Sequence, residues 1–82
     1  MSVKDKAAGY KTFETKAGWG YNILVKNKIV IHQENIPALA TGKGFNTQQQ
    51  ADEAAAIVSK KISAGKIPSL SVAEVQSILN KK

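Results

Sequence analysis

The chain has 82 residues, no Cys, and a formal charge of +6 from 12 basic against 6 acidic residues. That length makes one domain with a thin core, and the missing Cys excludes disulfides, thiolate metal ligands and thiol nucleophiles. Every basic residue is Lys, so the planar Arg fork that reads bases and clamps phosphates is absent, which disfavours nucleic acid as a partner.

The lysines are dispersed through the sequence and read first as a solvated surface. No apolar run approaches the ~20 residues of a membrane span, and no signal-peptide pattern is visible.

Residues 1–8 are polar, Lys-rich and without periodicity, and are predicted to form a flexible tail. Residues 9–82 then form a single domain. Residues 9–15 read as a strand, because Tyr10, Thr12 and Phe13 favour extended chain. Lys16-Ala17-Gly18 fits a three-residue hairpin loop with Gly18 left-handed. That loop sets Thr15 opposite Trp19 and Phe13 opposite Tyr21.

Residues 19–25 alternate, which puts Trp19, Tyr21, Ile23 and Val25 on one face, the expected core face. Lys26-Asn27-Lys28 is the next turn. A three-residue loop there pairs Val25 with Ile29, Ile23 with Ile31 and Tyr21 with Gln33, and sends Val30 and His32 to the other face. A two-residue loop at Lys26-Asn27 would instead place Tyr21 beside His32. The first gathers more large apolar groups on one face and is preferred. Pro37 has no N–H to donate and ends strand pairing. Residues 40–44 are a loop, and Phe45 is an anchor before a helix.

Thr47 is a helix N-cap, with Gln50 completing a capping box. The helix runs from about residue 48 to 63, with Ala51, Ala54, Ala55, Val58 and Ile62 as its apolar stripe. Asp52 and Glu53 are expected near its positive end, and Lys60 and Lys61 near its negative end. Gly65 is its stop. Ser71 and Glu74 form a second capping box, and Leu70 and Val75 have the spacing of a hydrophobic staple. The helix they open is too short to stand alone and must dock. The fold class is therefore α+β: a small antiparallel meander against one main helix, plus a short C-terminal helix.

Few residues invite chemistry. His32 is the lone histidine. Glu34 beside it could supply a second metal ligand, but nothing supplies a third at a usable spacing. A strand His is more simply a surface hydrogen-bonding residue, so no metal, cofactor or catalytic residue is expected. Asp52 and Glu53 are adjacent on a helix and diverge, which does not make a catalytic carboxylate pair. Gly42, Lys43, Gly44 and Thr47 form a weak candidate anion site ahead of a helix N-terminus. The P-loop spacing is missing, and a turn that needs Gly accounts for the glycines equally well. Trp19, Tyr21 and Phe13 could make an exposed aromatic platform, but in so small a domain rings aligned with Ile23 and Val25 are expected to be core.

Gly18-Trp19-Gly20-Tyr21, then Ile31-His32-Gln33, Ile36-Pro37-Ala38, Gly44-Phe45, the Ala-rich helix ending Lys61-Ile62, and Pro68 before a capped final helix together resemble a family of small bacterial proteins of uncharacterised function. The resemblance covers nearly the whole chain after Gly9. It implies short single domains, commonly made with an N-terminal export or lipoprotein signal, of which this chain would be the mature part. It names no activity and no site.

The reading is a non-enzymatic domain of the cell envelope, or secreted, that binds a protein, peptide or glycan. Its candidate surface is His32, Gln33, Glu34, Ile36 and Pro37, with Trp19 at the rim. An exposed edge strand could also pair with a second copy in a homodimer. The alternatives are a basic nucleic-acid binder, a small His-dependent enzyme, and a cytoplasmic location.

Overall fold

A computed structural model describes residues 8–39 and 42–80. Most of the expected tail, Ala40 and Thr41 of the expected loop, and the terminal Lys81 and Lys82 lie outside the described residues. Three strands, β1 (Ala8–Thr15), β2 (Gly18–Val25) and β3 (Lys28–Gln33), form an antiparallel sheet in the order β1-β2-β3. Two helices follow, α1 (Gln48–Ser63) and α2 (Val72–Leu79). α1 packs on β1 and β2, and α2 packs on α1. The fold is the expected α+β meander with a main helix and a short terminal one. β1 opens at Ala8, one residue earlier than the sequence suggests, where its N–H donates to Ser63 Oγ at 2.9 Å.

Both hairpin loops are one residue shorter than expected. Thr15 pairs with Gly18, leaving only Lys16-Ala17 as the first loop. The Thr15 hydroxyl holds that turn, accepting from the Ala17 N–H at 3.0 Å and donating to the Gly18 carbonyl at 3.1 Å. Phe13 consequently faces Gly20, and Thr12 faces Tyr21. A slip of one residue reverses every side chain on a strand, so Phe13 lies on the outer face, away from the aromatic core.

In the second hairpin Val25 pairs with Lys28, and Lys26 and Asn27 both take positive φ (53° and 66°). These are the angles of the two-residue turn whose twist matches the strands. A bulge between Ile23 and Leu24 then shifts the register: Leu24 pairs with Ile29, but Ile23 pairs with Ile31 and Tyr21 with Gln33. The distal pairing is thus the expected one, reached by a shorter turn plus an extra residue, Val30. Ile31 packs against the core, whereas Ile29 is 58% and Val30 52% exposed, so Ile29 does not join the core face.

β3 leaves the sheet after Gln33, and residues 43–45 take the place it vacates beside β2. Trp19 and Phe45 exchange both backbone hydrogen bonds, 2.7 Å and 2.8 Å, and the Gly44 N–H donates to the Ala17 carbonyl at 2.9 Å. The Ile36 N–H donates to the Lys43 carbonyl at 2.8 Å and closes the intervening loop. The backbones meet so closely that a Cβ on Gly44 would sit 2.7 Å from the Trp19 carbonyl oxygen and 3.0 Å from that of Glu34. A Cβ on Gly18 would sit 2.7 Å from the Phe45 carbonyl oxygen. Backbone cannot swing aside as a side chain can, so these glycines are required by space.

Phe45, fully buried, stands at the middle of the core with Tyr21, Ile23, Ile36, Ala51, Ala54, Ala55, Val58, Leu70, Val75 and Ile78. Burial pushes the Tyr21 phenol up to about 12, so it stays neutral in the folded protein. The alanines of α1 have little bulk, which lets the helix lie close to Tyr21 and Ile23.

At the start of α1, Thr47 Oγ1 accepts from the Gln50 N–H at 3.1 Å, but the Gln50 side chain reaches past the cap to accept from the Asn46 N–H at 3.0 Å. The capping box is therefore displaced by one residue. No acidic residue lies in the first turn; Asp52 and Glu53 come after it, while Lys60 and Lys61 do occupy the last turn. Gly65, at φ 74°, closes the helix: its N–H donates to Ile62 and that of Lys66 to Lys61. This is the paired C-terminal closure that glycine favours.

α2 has the full capping box of Ser71 and Glu74, and Leu70 and Val75 are both buried, as a staple requires. A tie not legible in the sequence joins the helices. Lys61 Nζ donates to Glu74 Oε1 at 2.8 Å and to the Ser69 carbonyl at 2.6 Å. Lys61's hydrogen bond, followed by that of the Ser71 N–H, holds the Glu74 carboxyl below its ordinary value of 4.5.

Gly44→Ala should destabilise by roughly 1–3 kcal/mol, as overpacking against fixed atoms does. Gly9→Ala, where a new Cβ meets nothing within 4 Å, should be near neutral. Urea titration of the two variants measures the contrast. A lowered carboxyl pKa stabilises above the unfolded value, and that contribution disappears as pH falls through the folded one. Glu74→Gln should therefore weaken the protein at neutral pH, and that deficit should shrink as pH falls from about 4.5 through the lower folded value, in denaturation curves collected across the acid range.

Candidate functional site

Both helices lie on the Tyr21 and Ile23 side of the sheet. The opposite side carries a group of side chains around His32. Asn22 is its partner across the ladder, and Glu34 follows it by two residues. His32 Nδ1 lies 2.5 Å from Asn22 Oδ1, and Nε2 lies 2.9 Å from Glu34 Oε2. The Phe13 ring lies parallel to the imidazole, at 4° and 5.1 Å between centroids. That is offset stacking at ordinary aromatic spacing.

Gly20 makes the stacking possible. It is the cross-strand neighbour of Phe13, and a Cβ there would lie 2.9 Å from Phe13 Cζ as well as clash with the Gln33 carbonyl oxygen. The ring covers the bare glycine and reaches His32 beyond it. Three constraints thus fix the imidazole: a ring on its face and a polar partner at each nitrogen. It is nonetheless exposed, with 53% of its side chain open to solvent and 61% of that of Glu34.

A carboxylate only accepts, so Nε2 carries the hydrogen toward Glu34. A neutral ring then offers Nδ1 as an acceptor, which the Asn22 amide meets by turning its NH2 inward. A doubly protonated ring donates to both oxygens. The amide of Asn22 serves either state by rotating.

The expected surface residues divide. His32 and Glu34 stand together. Trp19 is half-buried against the core on the other face, since it alternates with Gly20 and Asn22. Gln33 is partly buried and its Nε2 donates to the Asn35 carbonyl at 2.7 Å. Ile36 is buried in the core, and Pro37 is half-buried in the turn that follows. Asn22 and Phe13 are the members the sequence reading missed. Asn22 was implicit in the pairing of Ile23 with Ile31, which sets it opposite His32. Phe13 was hidden by the one-residue error in the first loop.

The weak anion candidates serve the backbone here. Gly44 spends its N–H on Ala17, the Lys43 carbonyl accepts from Ile36, Thr47 caps α1, and Gly42 takes φ 68°. Among the described residues, no three His, Asp or Glu side chains gather where they could hold a metal ion, and no helix is long and apolar enough to cross a membrane.

A family model described as a domain of unknown function, DUF4907, matches residues 11–77. The chain belongs to that family. The matched span of the DUF4907 domain takes in all the members of the His32 cluster, the Trp19–Phe45 bridge and most of α2. No curated protein and no solved structure matches the chain.

If Phe13 shields the imidazole, Phe13→Leu should move the His32 ring-proton resonances downfield in NMR spectra. The loss of the pair should cost roughly 0.5–1.5 kcal/mol beyond the change in buried area. Unchanged His32 shifts would contradict the stacking.

Proposed function

We propose that the domain is a non-enzymatic interaction module of the cell envelope, which binds a protein, peptide or glycan through the uncovered face of its sheet. The carrying observation is the Phe13–His32–Asn22–Glu34 cluster, exposed yet held from three sides. Side chains fixed before binding lose less freedom when a partner arrives. The cluster offers a partner an aromatic edge, two hydrogen-bonding side chains and a carboxylate. Such a mixture suits a polar ligand with some apolar surface.

The openness of the face supports binding over chemistry. A general base works on a proton held within hydrogen-bonding reach, in a site that excludes water. Here both imidazole nitrogens already have partners. The envelope location follows from the resemblance drawn from the sequence.

The test is photocrosslinking in the native host, with p-benzoylphenylalanine replacing Phe13 and, as a control, Ala56 on the exposed side of α1. The proposal expects adducts from position 13, none from 56, recovery with the envelope fraction, and loss of the adducts in His32→Ala/Glu34→Ala. Equal adducts from both positions, or adducts indifferent to His32 and Glu34, would overturn it.

A further inference from the structure

The far end of α1 gathers lysines around an apolar depression. Ile57, Lys60, Lys61 and Ala64 follow one another at helical spacing. The closure at Gly65 turns the chain back so that Lys66 joins them, around a shallow depression of about 240 Å³. Lys61 is committed to Glu74 and Ser69. Lys60 and Lys66 are exposed, and neither has an ion-pair partner among the described residues. Next to Lys66, Ile67 is 79% exposed, more than Tyr10, Ile29, Val30 or Val72. Pro68 follows it and biases Ile67 to extended backbone, ahead of the Ser71 cap of α2. The chain also joins the sheet here, through the bond from the Ala8 N–H to Ser63 Oγ.

We propose that this end of the molecule docks on an anionic phospholipid surface, with Ile67 entering the headgroup region and Lys60 and Lys66 meeting lipid phosphates. The pairing of charge with an aliphatic side chain decides the partner. A bare aliphatic group flanked by lysines gains from the boundary between headgroups and acyl chains, where both have favourable surroundings. A single-stranded nucleic acid would be met by aromatic rings on which bases stack, and none lines this depression. A free phosphate would leave Ile67 without a role. The depression beside it has Ile57 and Ala64 in its lining, which gives the apolar contact more breadth than one side chain. This surface is separate from the His32 face, so a docked domain would keep that face for its partner.

Cosedimentation of the full chain with vesicles tests the proposal. Vesicles of equimolar phosphatidylglycerol and phosphatidylcholine should bind the protein, and phosphatidylcholine alone should not. Each lysine near an anionic surface contributes roughly fivefold, so Lys60→Gln with Lys66→Gln should weaken binding about 25-fold. Ile67→Ser should weaken it on the order of tenfold. All three positions are exposed, and circular dichroism checks that the variants fold. His32→Ala should bind vesicles as the parent does, which separates this surface from the one proposed above. No binding to the mixed vesicles would overturn the proposal. So would binding that ignores Ile67→Ser and is matched by a single-stranded oligonucleotide, since that marks a polyanion site with no lipid preference.

Discussion

The structure depends on one backbone contact, the pair of hydrogen bonds between Trp19 and Phe45. β2 is the central strand, and β3 covers it only as far as Tyr21. Without a substitute, Trp19 would present open backbone groups on that side, next to the core. Residues 43–45 supply the substitute and in doing so deliver Phe45 to the centre of the hydrophobic cluster. A two-bond bridge is weak by itself, since each hydrogen bond contributes only about 1 kcal/mol net. Its importance lies in what it positions. Phe45 stands two residues before the Thr47 cap, so fixing Phe45 fixes where α1 begins and which stripe of alanines meets the sheet.

The same contact explains much of the Gly-Trp-Gly-Tyr and Gly-Phe strings. Gly18 and Gly44 lie where two backbones touch, and Gly20 lies where β3 turns away and the Phe13 ring settles. Tyr21 and Phe45 are core. These residues build the scaffold, and the side chains that face outward from it are different ones. Strings that build a scaffold in this way say little about what the domain binds.

The helices were legible because their signals are local. Thr47, Gly65, Ser71 and Glu74 each act within a few residues, and each acts where expected, with only the Gln50 half of the first capping box shifted. The core face of β2 was legible from alternation at Trp19, Tyr21 and Ile23, whereas Val25, next to the turn, is only half-buried and falls outside the core cluster. The sheet register was harder. The first loop turned on a Thr15 hydroxyl that stabilises a two-residue turn, and the second on a bulge at Val30 that alternation cannot express. The first error moved the side chains of β1 by one place, whereas the second touched only the turn end of β3, where Ile29 leaves the core face. The first is why Phe13 seemed a core ring and why the pairing of His32 with a ring on β1 could not be seen. The return of residues 43–45 to β2 is a contact between distant segments and has no local signature. The exposed pole at Lys66 and Ile67 was likewise visible only once the chain had folded around it.

Amide hydrogen exchange at Trp19 and Phe45 tests the central claim most directly. If the bridge is part of the cooperative core, both amides should exchange only through global unfolding, with the same free energy as the Ile23 amide and the same response to denaturant. Exchange at these two amides as fast as in the turn at Lys26 and Asn27, while Ile23 stays protected, would show that the segment opens by itself and that the rest of the fold does not lean on it.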